Sequence, residues 1–207
     1  MELYVKVIIT NNYKEEDVIN MAPIPIMAYK DLNEFAKHCG EKLLEESGNI
    51  EKFVYPDEVR HDNDESTWQE YIDVMKQKND DLLSNLGRNA NIYAIHKWSA
   101  ADKKWIPMYV GERKTGGMRE RITQHLIDKN VQTGSKLTEV KKMVRSGESI
   151  GVSFVKVEPE SLRLYVEEQI ISNFEGYLWN IQGAVKGYNN QAPLNTSGGP
   201  SPATSGN

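Results

Sequence analysis

The sequence has a single cysteine, Cys39, among its 207 residues, which excludes an internal disulfide and a cysteine-built metal centre. It sits in DLNEFAKHCGEKLLEESG, where nothing nearby suggests an activating basic pocket, so it reads as a small buried hydrophobe. No apolar run approaches the ~18–20 residues that cross a bilayer. The first ten residues, MELYVKVIIT, lack a basic stretch followed by a long apolar one and a small-residue cleavage site, so the expected compartment is the cytoplasm. A hydrophobic fraction of 39% with 27% charged residues excludes a wholly disordered chain. The length suits one medium domain, or a small catalytic domain with an appendage.

An excess of positive charge is also missing, since the net charge is -5. The average hides an asymmetry, however. Residues 1–90 hold 10 Lys+Arg and 19 Asp+Glu, residues 91–146 hold 12 and 5, and residues 147–207 hold 3 and 6. A middle segment of +7 (12 minus 5) between acidic flanks is the distribution expected when one face meets phosphates while the whole stays soluble. A solvated basic helix face would give the same count.

Residues 3–10, LYVKVIIT, read as a strand. Residues 31–48 carry a helical stripe of Leu32, Phe35, Ala36, Cys39, Leu43 and Leu44, with Asp31 as its N-cap. A short strand follows near Ile50–Tyr55. A helix over about 66–86, capped by Asp64 or Ser66, has Trp68, Ile72, Met75 and Leu82 as apolar positions and Gly87 as its stop. Residues 1–90 thus form an acidic α/β extension or subdomain. From Asn91 the order is ββααβα: NIYAIHKW and WIPMYVG as a hairpin with a long connection, helices MRERITQHLIDK and 136–145, a strand over 150–158, and the helix LRLYVEEQIISNF. The expectation is an α/β (α+β) fold whose three strands form one small antiparallel sheet flanked by helices. Residues 91–195 make the second domain, and 196–207 a flexible Gly/Ser/Pro tail.

The chemistry-bearing residues fall on these elements in order. Tyr93 and Tyr109 lie on the two hairpin strands. Arg121 and His125, four apart, share one helix face, and Glu167 lies on the last helix among inward-pointing Val166, Ile170 and Ile171. A fixed guanidinium can bond two phosphate oxygens and stabilise the charge of a pentacoordinate state. One carboxylate suits Mg²⁺ or Mn²⁺, which keep several waters and share phosphate oxygens. Each residue has a plainer alternative: packing for the tyrosines, an exposed basic helix for Arg121 and His125, a solvent-facing charge for Glu167.

With NIY, YVG, the Arg-x-x-x-His of RITQH and a Glu-bearing final helix in this order, the chain resembles the GIY-YIG nuclease superfamily over about half its length, in particular its small phage endonucleases and restriction enzymes. Asn91 replaces the first glycine and Val110 the isoleucine. The spacing between the tyrosines is longer than usual, which a longer hairpin loop at SAADKK would absorb.

The resemblance implies a divalent-metal-dependent endonuclease acting on double-stranded DNA. Within it, Tyr93 is a base for the attacking water, favoured by cationic neighbours such as Lys114, and Tyr109 positions water or phosphate. Glu167, rather than Glu168, holds the metal. Asn180, with Asn189, Asn190 and Asn195 as rivals, ties the C-terminal segment to the site, and Gly111 lets backbone come close. Arg113, Arg119, Lys141 and Lys142 are the candidate DNA contacts. A homodimer would supply two sites for a double-strand cut, with the stripe at Trp68, Ile72, Met75 and Leu82 as a candidate contact or, alternatively, packing onto the core. A non-catalytic DNA-binding protein that retains the fold is the competing reading. An unrelated α/β domain is a third, and convergence of Tyr93, Tyr109, Arg121 and Glu167 separates it from the other two.

Overall fold

The chain is described by a computed structural model over residues 24–25, 30–45, 47–129, 134–173 and 179–180. The strand expected over 3–10, the C-terminal tail, and Asn189, Asn190 and Asn195 lie outside the described residues. The fold is α+β, built on strands β1 (Ile24–Pro25), β2 (Glu51–Phe53), β3 (Ile92–Ser99), β4 (Lys104–Glu112), β5 (Ile150–Val155) and β6 (Val157–Glu158). The helices are α1 (Leu32–Leu44), α2 (Glu65–Glu70), α3 (Ile72–Lys78), α4 (Asp80–Asn89), α5 (Met118–Leu126), α6 (Leu137–Arg145) and α7 (Arg163–Asn173).

The main sheet has four strands, not three, in the order β2-β5-β3-β4, all antiparallel. The fourth is the Ile50–Tyr55 stretch assigned above to the N-terminal extension: Phe53 pairs with Ile150 and Glu51 with Val152. A separate pairing joins β1 to β6 in parallel. The hairpin connection is short, since β3 runs to Ser99 and β4 starts at Lys104. The extra spacing between the tyrosines is taken up by long strands and by a bulge: Ile95 opposes Tyr109 but His96 opposes Pro107, leaving Met108 unpaired in register.

Side-chain alternation sends Tyr93 and Ile95 to one face and Ile92 and Ala94 to the other. The first face packs on α5 and α6 through Met118, Ile122, Val140 and Val144, together with Trp68, Met75 and Leu86 from the N-terminal helices. The second packs on α1 and α7 through Phe35, Cys39, Leu43, Val166 and Ile170. Because both faces are covered, β5 is buried at every position and β3 at its first five. Cys39 is fully buried, and burial pushes its thiol up to about 12, so it is the inert hydrophobe its surroundings implied. Asp31 caps α1 as expected, its Oδ1 accepting from the amides of Asn33 and Glu34.

The helix expected over 66–86 is instead three, broken at Tyr71 and Asn79. Asn79 explains the second break. Its buried side chain accepts from Val54 N–H (2.8 Å) and donates to the carbonyls of Val54 (2.8 Å) and Met75 (2.7 Å), joining the helices to the end of β2. Gly87 does not end α4, which continues to Asn89. A Cβ there would lie 3.3 Å from that of Arg119, so the glycine allows α4 to approach α5. Trp68, Met75 and Leu82 are buried in the core, and Trp68 Nε1 donates to Ile127 O at 2.7 Å. Ile72 is partly buried against the same core, so the stripe packs within the chain, the alternative given above.

Candidate active site

Tyr93 and Gly111 face each other across the β3–β4 ladder. The Tyr93 ring folds over the glycine, so that a Cβ at position 111 would come within 2.5 Å of its Oη, 2.6 Å of its Cζ and 2.8 Å of Tyr109 Cε1. Gly111 thus serves ring placement, a specific form of the close approach expected of it. The two tyrosine rings lie 6.0 Å apart between centroids, and the His125 ring is 5.7 Å from Tyr93 and 4.9 Å from Tyr109.

His125 is completely buried, and its two nitrogens have different partners. The Lys136 backbone N–H donates to Nδ1 at 3.0 Å, while Nε2 lies 2.7 Å from the Tyr93 hydroxyl oxygen. Burial first, then the charges of Arg121 and Lys136, lower the imidazole to about 3, so the ring is neutral and has one proton. With Nδ1 accepting, that proton is on Nε2 and is donated to the Tyr93 oxygen. Tyr93's own proton therefore points elsewhere, and His125 is a donor in this contact, not a base.

Burial raises the Tyr93 hydroxyl well above the ordinary phenol range, with the Tyr109 hydroxyl adding to the effect and Arg121 opposing it by charge and hydrogen bonding. The expected depression by cationic neighbours is present but outweighed, and its source is Arg121. Lys114 lies in the exposed loop after β4, where its charge helps hold the Glu160 carboxyl low, behind the Thr115 amide that bonds it.

Arg121 links the tyrosines to the last helix. Its guanidinium interacts with both hydroxyls and also acts on Glu167. Glu167 is half-buried while Glu168 is exposed. Desolvation, then the neighbouring Glu112 carboxylate, push Glu167 up to about 7, against the pull of Arg121, the Glu112 amide and Arg163. Glu112, directly after YVG, escaped the sequence reading. Its carboxylate accepts from Arg163 Nε at 2.6 Å, and Arg163 also donates to Glu160 O at 3.1 Å, fastening the end of β4 to the start of α7.

Asn180 reaches the same strand from the C-terminal side. It accepts from Val110 N–H at 2.9 Å and donates to Val110 O at 2.6 Å, next to a Trp179 N–H to Met108 O bond at 2.6 Å. This covers the open edge of β4 as a strand would. Asn91, at the position of the missing first glycine, is buried and pairs in the same way with Val157, donating to its carbonyl (2.7 Å) and accepting from its amide (2.8 Å).

The candidate DNA contacts divide. Arg113 and Lys142 are exposed. Arg119 is held by Asp80 and Ser84 of α4, each at 2.6 Å. Lys141, only 11% exposed, is paired with Glu65 and lies 5.0 Å over the Trp68 ring. The acidic N-terminal part therefore neutralises some of the +7 segment internally. Arg145 joins the same Glu65 at 3.2 Å.

No group of three or more His, Cys, Asp or Glu side chains converges among the described residues. A cation here would be held by Glu167, with water and phosphate oxygens completing its shell, an arrangement Mg²⁺ accepts. The donor set fits, because a desolvated carboxylate crowded by a second one gains when positive charge arrives. No helix among the described residues is long and apolar enough to cross a membrane. No family model, curated protein or solved structure matches this chain.

Proposed function

We propose that this chain is a divalent-metal-dependent DNA endonuclease of the GIY-YIG type. The observation that carries the reading is the convergence of residues 12 to 74 positions apart in sequence: the tyrosines of a hairpin, a guanidinium facing both, and a half-buried carboxylate under that guanidinium's influence. A packing role for the tyrosines gives no reason for Arg121 to face their hydroxyls, or for Glu167 to be half-buried beside Glu112.

In this reading Arg121 binds the scissile phosphate and stabilises the charge that builds on its oxygens during in-line attack by water. Tyr93 takes the water's proton as its phenolate, after its own hydroxyl proton has passed to solvent. The phenolate oxygen receives the His125 Nε2–H and faces Arg121, so the charge it carries before the transfer meets N–H donors. Tyr109, between His125 and Arg121, orients the water or phosphate. Asn180 and Arg163 hold β4 from its two sides, which keeps Gly111 beneath the rings. A bound divalent cation would supply Lewis acidity at the phosphate and leaving oxygen, held by Glu167.

The test is incubation of supercoiled plasmid with the parent chain, Glu167→Gln and Glu168→Gln, in Mg²⁺ and in EDTA. The parent and Glu168→Gln are expected to cut only in Mg²⁺. Glu167→Gln is expected to leave the plasmid intact while still retarding DNA in Ca²⁺. Bound but uncut plasmid with all three proteins would make this a DNA-binding protein that keeps the fold.

A further inference from the structure

The loop entering α6 delivers a second cation to the tyrosines. Lys136 is half-buried, its ammonium lies 5.7 Å from the Tyr109 ring centroid, and its own amide is bonded to His125 Nδ1. The backbone on both sides is fixed. Ser135 Oγ donates to Gln124 O at 2.7 Å, tying the loop to α5, and accepts from Leu137 N–H at 3.1 Å, opening α6. The root of the Lys136 side chain is therefore as well positioned as the helices themselves. Its charge reaches His125 alongside that of Arg121.

Among the described residues no carboxylate comes within ion-pair distance of either Lys136 or Arg121. The contrast with Arg119, Lys141, Arg145 and Arg163, each matched to an acid, is informative. Arg121 acts on Glu167 from beyond ion-pair distance, and Lys136 has no acid within that distance among the described residues, so two half-buried cations at one ring leave room for an anion between them.

We propose that Lys136 is the second cation of the phosphate site, its ammonium acting with the Arg121 guanidinium to bind one phosphodiester over Tyr109. The assignment rests on the nuclease reading for its substrate, but the anion site stands on the geometry alone. Arg121 supplies a planar, two-pronged grip, and Lys136 supplies a point charge on a short tether. Anchoring the lysine through its own amide to the buried His125 imidazole couples phosphate binding to the placement of His125. It also keeps the Nε2 proton directed at Tyr93 while substrate is bound.

The measurement is a titration of the full chain, labelled at histidine and tyrosine, with inorganic phosphate at pH 7. His125 and Tyr109 signals are followed by NMR in the parent, Lys136→Met and Lys136→Arg. Saturable shifts are expected in the parent, with Kd raised about tenfold in Lys136→Met, which keeps the stem and loses the charge, and returned to within about threefold in Lys136→Arg. An unchanged melting temperature in Lys136→Met, with the residue-136 amide still protected from hydrogen exchange by its bond to His125 Nδ1, would show that lost charge, not lost structure, is responsible. Equal phosphate affinity in Lys136→Met and the parent would overturn the proposal, as would a parent whose signals ignore phosphate. Plasmid cleavage run in parallel separates the two readings. A parent that binds phosphate through Lys136 and cuts nothing retains the anion site and loses the nuclease assignment. A parent that cuts, with Lys136→Met matching it in KM, kcat and phosphate affinity, retains the nuclease and loses Lys136.

Discussion

Glu167→Gln should make the protein more stable and inactive, and the gain should depend on pH in a way that identifies its origin. The ordinary carboxyl value is 4.5 and the folded-state value about 7, so the folded chain holds this proton more tightly than the unfolded one. Stability then falls as pH climbs from 4.5 through 7, because the folded state must give up a proton that the unfolded state has already lost. At pH 8 the cost of holding the carboxylate ionised beside Glu112 comes to roughly 3 kcal/mol. At pH 5 the unfolded chain is only just past its own titration, and the same linkage leaves under about 1 kcal/mol. An amide of the same shape cannot ionise and escapes the cost. Thermal melts of parent and variant in EDTA should therefore separate by up to roughly 6–12 °C at pH 8, given ~2–4 °C per kcal/mol for a chain of this size, and nearly coincide at pH 5. Equal separations at the two pH values, or a variant less stable at pH 8, would refute the argument that desolvation and Glu112 strain this group. Saturating Mg²⁺ should narrow the gap at pH 8 by stabilising only the parent.

Gly111→Ala should cost about 1–3 kcal/mol in urea denaturation, and it should displace the Tyr93 and Tyr109 ring signals, because the new Cβ has no space between them. Asn180→Ala removes both bonds to Val110 and should cost about 1–3 kcal/mol, with faster hydrogen exchange at the Val110 amide as its specific sign. Lys142→Ala should weaken DNA binding and reduce the salt slope of log K by about 1. Lys141→Met, which breaks the Glu65 pair over Trp68, should lower the melting temperature and leave that slope unchanged. Identical slopes for Lys142→Ala and the parent would remove Lys142 from the interface.

Local patterns explain why much of the fold was legible in the sequence. The hairpin, α5 to α7, the Asp31 cap and the burial of Cys39 each follow from periodicity or a cap signal within a dozen residues. The fourth strand is legible as a strand but not as part of the main sheet, since its pairing with Ile150–Val152 spans about a hundred residues and leaves no mark in either segment. Asn79 hid a helix break for a related reason. An asparagine inside an amphipathic run looks like an exposed polar position until β2 supplies the Val54 backbone groups that it bonds.

The site divides along the same line. Tyr93, Tyr109, Arg121, His125 and Glu167 were legible as candidates through their order along the chain and the family resemblance it carries. Glu112 and Lys136 were not, because each looks like one more surface charge. Their meaning comes from neighbours: Glu112 from Arg163 and Glu167 across the β4–α7 contact, Lys136 from the ring of Tyr109 and the imidazole it fastens. The segment's net +7 was misleading for the same reason. Charge counted along the chain cannot tell a cation facing solvent from one already matched to an acid in another segment, and Asp80 and Glu65 take up Arg119, Lys141 and Arg145 in that way. What remains for a phosphate is a smaller set, in which Arg121 and Lys136 face the tyrosines and Arg113 and Lys142 face outward. At the proposed phosphate site, selectivity would therefore rest on the geometry of two half-buried cations at one ring more than on the overall potential of the domain.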